Sequence, residues 1–295
     1  MNPEALQTAL ALDRLISYAG FVLWAGTLTF WTLIWPAGYR DRRLFNLALA
    51  GAGLLAAGTV GEPLIRLGLG DQPLAEFAPP LAGAAVLLRL AVLVGSAFFL
   101  VDLVSATVTG GRRVVAIGAV AVVAATMAIQ PAPNGARGTL LVTLGAGGYL
   151  LAAAAWLGGL VALAVVLRPG GGAGPADGLL TRFSPVAMLS LVVLVVIGGG
   201  AALAASGGPD GGGDLRFWLI LVVKIGFLAA LLVLVSQFRR YAARVAFRQL
   251  YHLPAGDART VQSRGRLTLV FGMELAVAFA VLTTTGMLLL VAQAG

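Results

Sequence analysis

The sequence predicts an all-α protein, a polytopic transmembrane helical bundle of eight spans. Three observations lead there. Of 295 residues, 59% are hydrophobic and only 11% charged, and the mean hydropathy is +0.96. A soluble domain carries about a quarter charged residues, because its surface faces water. Apolar runs also recur at lengths of roughly 20 residues, which is what a helix needs to cross a hydrocarbon core of about 30 Å. Finally, no segment alternates polar and apolar residues with period two, so a β-barrel is not expected. The lipid bilayer is therefore the expected solvent for most side chains.

The eight runs lie near Leu15–Trp35, Leu44–Ile65, Leu81–Val104, Val114–Ile129, Leu140–Leu167, Phe183–Ala205, Phe217–Phe238 and Leu267–Ala292. The fourth is the shortest, and Arg112 and Arg113 at its start can snorkel to the headgroups and extend its reach. Glycine-rich connections such as Gly170–Gly172 and Gly211–Gly213 interrupt the runs where no helix would persist. Ahead of the first run stand Glu4 and Asp13 and no basic segment, so a cleaved signal peptide is not expected.

Lysine and arginine set the expected orientation. Of the 20 basic residues, fourteen arginines fall in the first, third, fifth and seventh loops. They are Arg40, Arg42, Arg43, Arg112, Arg113, Arg168, Arg182, Arg239, Arg240, Arg244, Arg248, Arg259, Arg264 and Arg266. Four (Arg14, Arg66, Arg137 and Arg216) fall on the other side, and the remaining two, Arg89 and Lys224, fall inside spans. Both termini are thus expected outside the cytoplasm, in a multi-pass protein of the plasma (inner) membrane. The net charge of +8 is accounted for by these cytoplasmic arginines, and nucleic acid is not an expected partner. Arg240, Arg244 and Arg248 share one face of a continued seventh helix, suited to anionic headgroups.

Short echoes suggest a duplication into residues 1–138 and 139–295, each of four helices. Tyr18…Trp24-Ala-Gly26 is echoed by Tyr149…Trp156-Leu-Gly158, and Arg43-Leu-Phe45 by Arg182-Phe183. Leu87-Leu-Arg89 is echoed by Val222-Val-Lys224, and Arg113 by Arg266. Four helices per half give a 4+4 repeat of parallel orientation, a pattern found among transporters. Membrane composition also generates such echoes, and both origins stay open.

Ionisable groups at membrane depth call for a partner or a purpose. Arg89 lies about 12 Å along the third span, Lys224 at a similar depth in the seventh, and Glu274 about 10 Å into the last. Glu62, near the end of the second span, is expected within reach of Arg89. These four residues form either ion pairs that hold the helices in register or a polar pathway through the bundle. The chain has no cysteine, which excludes disulfides and thiolate metal sites. Its one histidine, His252, falls in a basic loop, so a haem held by two histidines of one chain is excluded. Methionines are the remaining soft ligands, suited to Cu(I). Met127 and Met287 fall near one membrane face, Met188 and Met273 near the other, though methionine is also ordinary core filler. No nucleophile–base pair is visible, so an enzyme is not expected. Gly158, Gly159 and Gly198–Gly200 suit close helix packing, and Trp31 and Trp35 read as interfacial anchors.

The stretch Tyr149-Leu-Leu-Ala-Ala-Ala-Ala-Trp156-Leu-Gly158-Gly159-Leu160, followed by Arg182-Phe183-Ser184-Pro-Val-Ala187, resembles the copper resistance D (CopD) family. Lys224 and Glu274 resemble that family's intramembrane charges, and the first half, with Tyr18, Gly26, Phe30 and Trp35-Pro36, is similar to its N-terminal helices. The resemblance covers nearly the whole chain. It implies an eight-helix plasma-membrane protein of copper homeostasis, importing copper beside a periplasmic copper carrier or another membrane subunit. Where the family has a histidine seven positions before the tryptophan, this chain has Tyr149, a poor Cu(I) ligand. The alternative is a membrane scaffold or assembly subunit that kept the fold without the copper ligand.

Overall fold

The computed structural model describes residues 3–69, 80–105, 110–129, 140–167 and 176–205, together with Val222 and Gly226. Every regular element among them is helical, and six of the helices are long and apolar enough to cross a membrane. They define a helical membrane protein. The seventh and eighth expected spans lie outside the described residues. One compact unit comprises Met1–Val166 with Leu179–Gly199, so it draws on both of the expected halves. The other comprises Leu167–Gly178 and Gly200–Gly295, most of which lies outside the described residues.

Helix α1 (Pro3–Thr29) starts with a proline, whose missing N–H is unneeded in a first turn. It begins twelve residues before the expected span, because Glu4–Arg14 continue the helix beyond the apolar run. The hydroxyls of Thr27, Thr29 and Thr32 donate to the carbonyls of Leu23, Ala25 and Leu28 at 2.7, 2.7 and 3.0 Å. Such bonds compete for the helix's own acceptors. The last turn widens into a π-helical segment, Phe30–Ile34, closed by the Trp35 N–H on the Phe30 carbonyl at 2.9 Å. Pro36 then opens a 3₁₀ turn, Pro36–Arg40. Asp41 caps helix α2 (Arg42–Leu69), its Oδ1 accepting the Arg43 N–H at 2.8 Å.

Helices α3 (Pro80–Ser105) and α4 (Gly110–Ala128) follow within a few residues of the expected spans. The fifth span is one continuous rod in three pieces, α5 (Leu140–Ala153), a π-helical segment Ala154–Gly158, and α6 (Gly159–Leu167). Helix α7 (Ala176–Ala205) starts seven residues before the expected Phe183, with Leu179 buried and Pro185 accommodated inside.

Helix α1 is the axis of the unit. Phe21, Trp24, Leu28 and Phe30 are buried, and the Phe21 and Trp24 rings meet at a tilt with centroids 6.4 Å apart. Trp31 is buried as well, which corrects its reading as an interfacial anchor: the widened turn aims it into the core. Glycines let α2 run antiparallel against α1 at backbone contact. A Cβ on Gly20 would strike the Leu55 nitrogen, and one on Gly51 would strike Trp24. Small residues at such seams are the usual means of close packing in membranes, where lipid is as apolar as leucine.

Candidate functional site

Two groups of the expected residues are brought together, at different places. The first is the Trp156-Leu157-Gly158-Gly159 segment. Its π turn carries Gly158 onto α1, where a Cβ would overlap the Val22 carbonyl and crowd Gly26, whose own Cβ would strike Gly158 in return. The next residue, Gly159, faces Phe183 of α7, and a Cβ there would lie 2.6 Å from the Phe183 ring. Trp156, Leu157 and Phe183 are all buried. The tryptophan–x–glycine–glycine run and the later phenylalanine therefore form one packing node, with α1 on one side and α7 on the other. Ser184 beside it buries a hydroxyl oxygen that meets no hydrogen-bond partner among the described residues. Tyr149 lies two turns earlier on α5 and is partly exposed. Gly199 and Gly200 face open space, so at those two positions the expected close packing is absent among the described residues.

The second group sits where α1 and α3 begin and α2 and α4 end. Arg89 projects from the inward face of α3, in line with buried Ala85, Leu93, Ser96 and Leu100. Its Nε donates to Thr126 Oγ1 at 3.2 Å, one terminal nitrogen donates to the Thr126 carbonyl at 2.8 Å, and the other to Thr59 Oγ1 at 3.5 Å. Both hydroxyls send their own protons to backbone carbonyls, Val123 and Leu55, each at 2.7 Å, so their lone pairs are free to accept. Thr126 belongs to the last turn of α4, where carbonyls have no intrahelical donor. Thr59 lies four residues before Pro63, which has no N–H to give the Thr59 carbonyl. Arg89 thus satisfies a carbonyl where backbone hydrogen bonding ends in α4, and a hydroxyl in the proline-opened turn of α2. As a cation it also suits the negative end of the α4 dipole.

Glu62 is near enough to Arg89 for its charge to act there, and it has a nearer partner of its own. Its ion pair is with Arg66, one turn along the same helix, at 2.9 Å. Arg89 also feels Glu62 and the Tyr18 phenol electrostatically. The Glu62–Arg66 geometry is local, needing no tertiary alignment, and wins for that reason. Met127, next to Thr126, is buried in α4. Lys224, Glu274, Met273, Met287 and His252 lie outside the described residues. Among the described residues no group of three or more histidine, aspartate or glutamate side chains is close enough to hold a metal ion.

Sequence reasoning did not single out Thr59, Thr126 or Arg66 as partners. Two of them had a signal: Arg66 follows Glu62 by four, and Thr59 precedes Pro63 by four. Comparison with protein-family models, with curated proteins and with solved structures finds no match.

Proposed function

We propose that the chain is an eight-span plasma-membrane protein of copper homeostasis with a CopD-like bundle. Its termini lie outside the cytoplasm, and it carries copper inward, receiving it from a periplasmic copper carrier. The observation that supports this reading most is the packing node. The residues that carry the CopD resemblance, Trp156, Gly158, Gly159 and Phe183, act together on α1 and α7 rather than being scattered echoes. A π segment at that node fits a functional position, since such turns inside helices are frequent at functional sites.

With Tyr149 in place of the family histidine, coordination passes to thioethers. Met127 and Met287 are the pair for a weak, Cu(I)-selective site that releases its ion readily. The test is copper accumulation in cells with and without the chain, and with Met127→Leu and Met287→Leu combined. That exchange nearly conserves volume and should cost less than about 1.5 kcal/mol. Lost uptake in the well-expressed double variant supports the site, and unchanged uptake rejects it. Tyr149→His should tighten copper binding.

One observation favours the second reading, a scaffold without transport. Arg89 is engaged by a helix end and two hydroxyls, a structural use of an intramembrane charge. Copper accumulation equal in cells with and without the protein would select it.

A further inference from the structure

Asp13 of α1 is only 7% exposed, and the surface beneath it is built for it. Gly61 of α2 faces it: a Cβ there would strike the carboxyl oxygen Oδ1, with Cγ at 3.2 Å. One turn away Gly58 takes the Ser17 hydroxyl in the same manner, and Ser17 is buried too. Two glycines three apart share a helix face, so together they form a cradle that accepts one carboxyl and one hydroxyl.

The charges around this carboxyl act on it in opposite directions, with burial and Glu62 outweighing Arg14. From α2, Glu62 faces it with a second carboxylate, and Arg66 is held by Glu62 at 2.9 Å. On α1 itself Arg14 is a nearby charge, but it forms no ion pair with Asp13 among the described residues. From α3, Arg89 is bonded to Thr126 and Thr59. At this end α4 offers uncharged Thr126 and Met127, and the titratable side chain of α5 is Tyr149. Burial and the neighbouring carboxylate both disfavour the charged form, and uptake of a proton removes the charge.

We propose that the Asp13 carboxyl, seated on the Gly58–Gly61 cradle, is a proton-binding site of the bundle. The carboxylate takes one proton from water at the end where α1 begins, becomes a neutral carboxylic acid, and returns the proton as a carboxylate. No other bond is made or broken. Such a site is what proton relays through membrane bundles use. It stands whether or not the protein carries copper.

The test is infrared spectroscopy of the full chain in lipid nanodiscs across a pH series. A protonated acid shows a carbonyl stretch that a carboxylate lacks. That band is expected in the wild type, fading as pH rises, and lost in Asp13→Asn. In Glu62→Gln the neighbouring charge is gone, and the band should fade at lower pH. If Asp13→Asn fails to fold, aspartate labelled with ¹³C at the side-chain carboxyl replaces it, and the band must move. A band that is absent, or unmoved by both the variant and the label, overturns the proposal. So does a band displaced by sodium at constant pH, which would make the cradle a cation site.

Discussion

Helices α1 and α3 are both spans, yet they are held in opposite ways. The apolar stretch of α1 is 67% buried and that of α3 only 22%, although α3 is the more hydrophobic of the two. In α3, Leu87, Val94, Phe98 and Val101 form an exposed stripe at helical spacing. In α1, polar and small residues such as Ser17, Gly20, Gly26 and Thr27 sit at the contacts. In a bilayer the most apolar surface is satisfied by lipid, and burial goes to residues that let backbones approach or that need a polar partner. Hydropathy locates the spans; small residues locate the interfaces.

The strongest way to break this contrast is at the seam of α1. Gly158→Ala drives a methyl group into the Val22 carbonyl and toward Gly26, and backbone cannot evade it by a rotamer change. The expected loss is at or above about 3 kcal/mol, the upper end for overpacking, read as a lower melting temperature and loss of the monodisperse species in detergent. The controls are Gly95→Ala on α3 and Gly53→Ala on α2, where no atom lies within 4 Å of the new methyl. These should be neutral or gain up to about 1 kcal/mol from helix propensity. Equal behaviour of Gly158→Ala and Gly95→Ala would remove the backbone contact on which the comparison rests.

How far the sequence could be read follows the same division. The starts and ends of α2, α3 and α4 were legible to within a few residues because apolar runs and the arginine pair 112–113 mark them locally. The π turns at Phe30–Ile34 and Ala154–Gly158 were not, since each depends on what packs against it. Gly158 and Gly159 were legible as packing residues, but not that α1 would take one and Phe183 the other. Arg89 was legible as a buried charge needing a partner. Its partner was not, because height along the membrane normal points to Glu62, whereas the acceptors are a carbonyl at a helix end and two threonine hydroxyls.

On the α3 side, Arg89→Met sharpens the comparison, since α3 has few buried contacts to replace the arginine. It leaves the Thr126 carbonyl without its donor and should cost about 1–3 kcal/mol, the range for bonds to a charged donor, reduced where the membrane offers alternatives. Thr126→Val removes one acceptor and leaves the carbonyl bond, so its loss should stay near about 0.5–1 kcal/mol. In a double-mutant cycle the two should be non-additive, because after Arg89→Met the Thr126 hydroxyl has only its bond to the Val123 carbonyl left to lose. Additive losses would detach Arg89 from the end of α4.

The smallest expected effect separates Glu62 from Arg89. The Glu62 and Arg66 side chains are 40% and 28% exposed, so their ion pair works in a wet, screened setting. Exposed pairs one turn apart contribute about 0.3–0.5 kcal/mol, and Glu62→Gln and Arg66→Gln should each cost less than about 1 kcal/mol. Their coupling should exceed that between Glu62→Gln and Arg89→Met, in which no direct bond is lost. Raising the salt concentration should erase most of the Glu62–Arg66 coupling and leave the Arg89–Thr126 coupling intact, because screening acts on exposed charges and little on buried hydrogen bonds. A loss in Glu62→Gln as large as that in Arg89→Met would return Glu62 to Arg89 as its true partner. It would also place an ion pair where the structure has a helix cap.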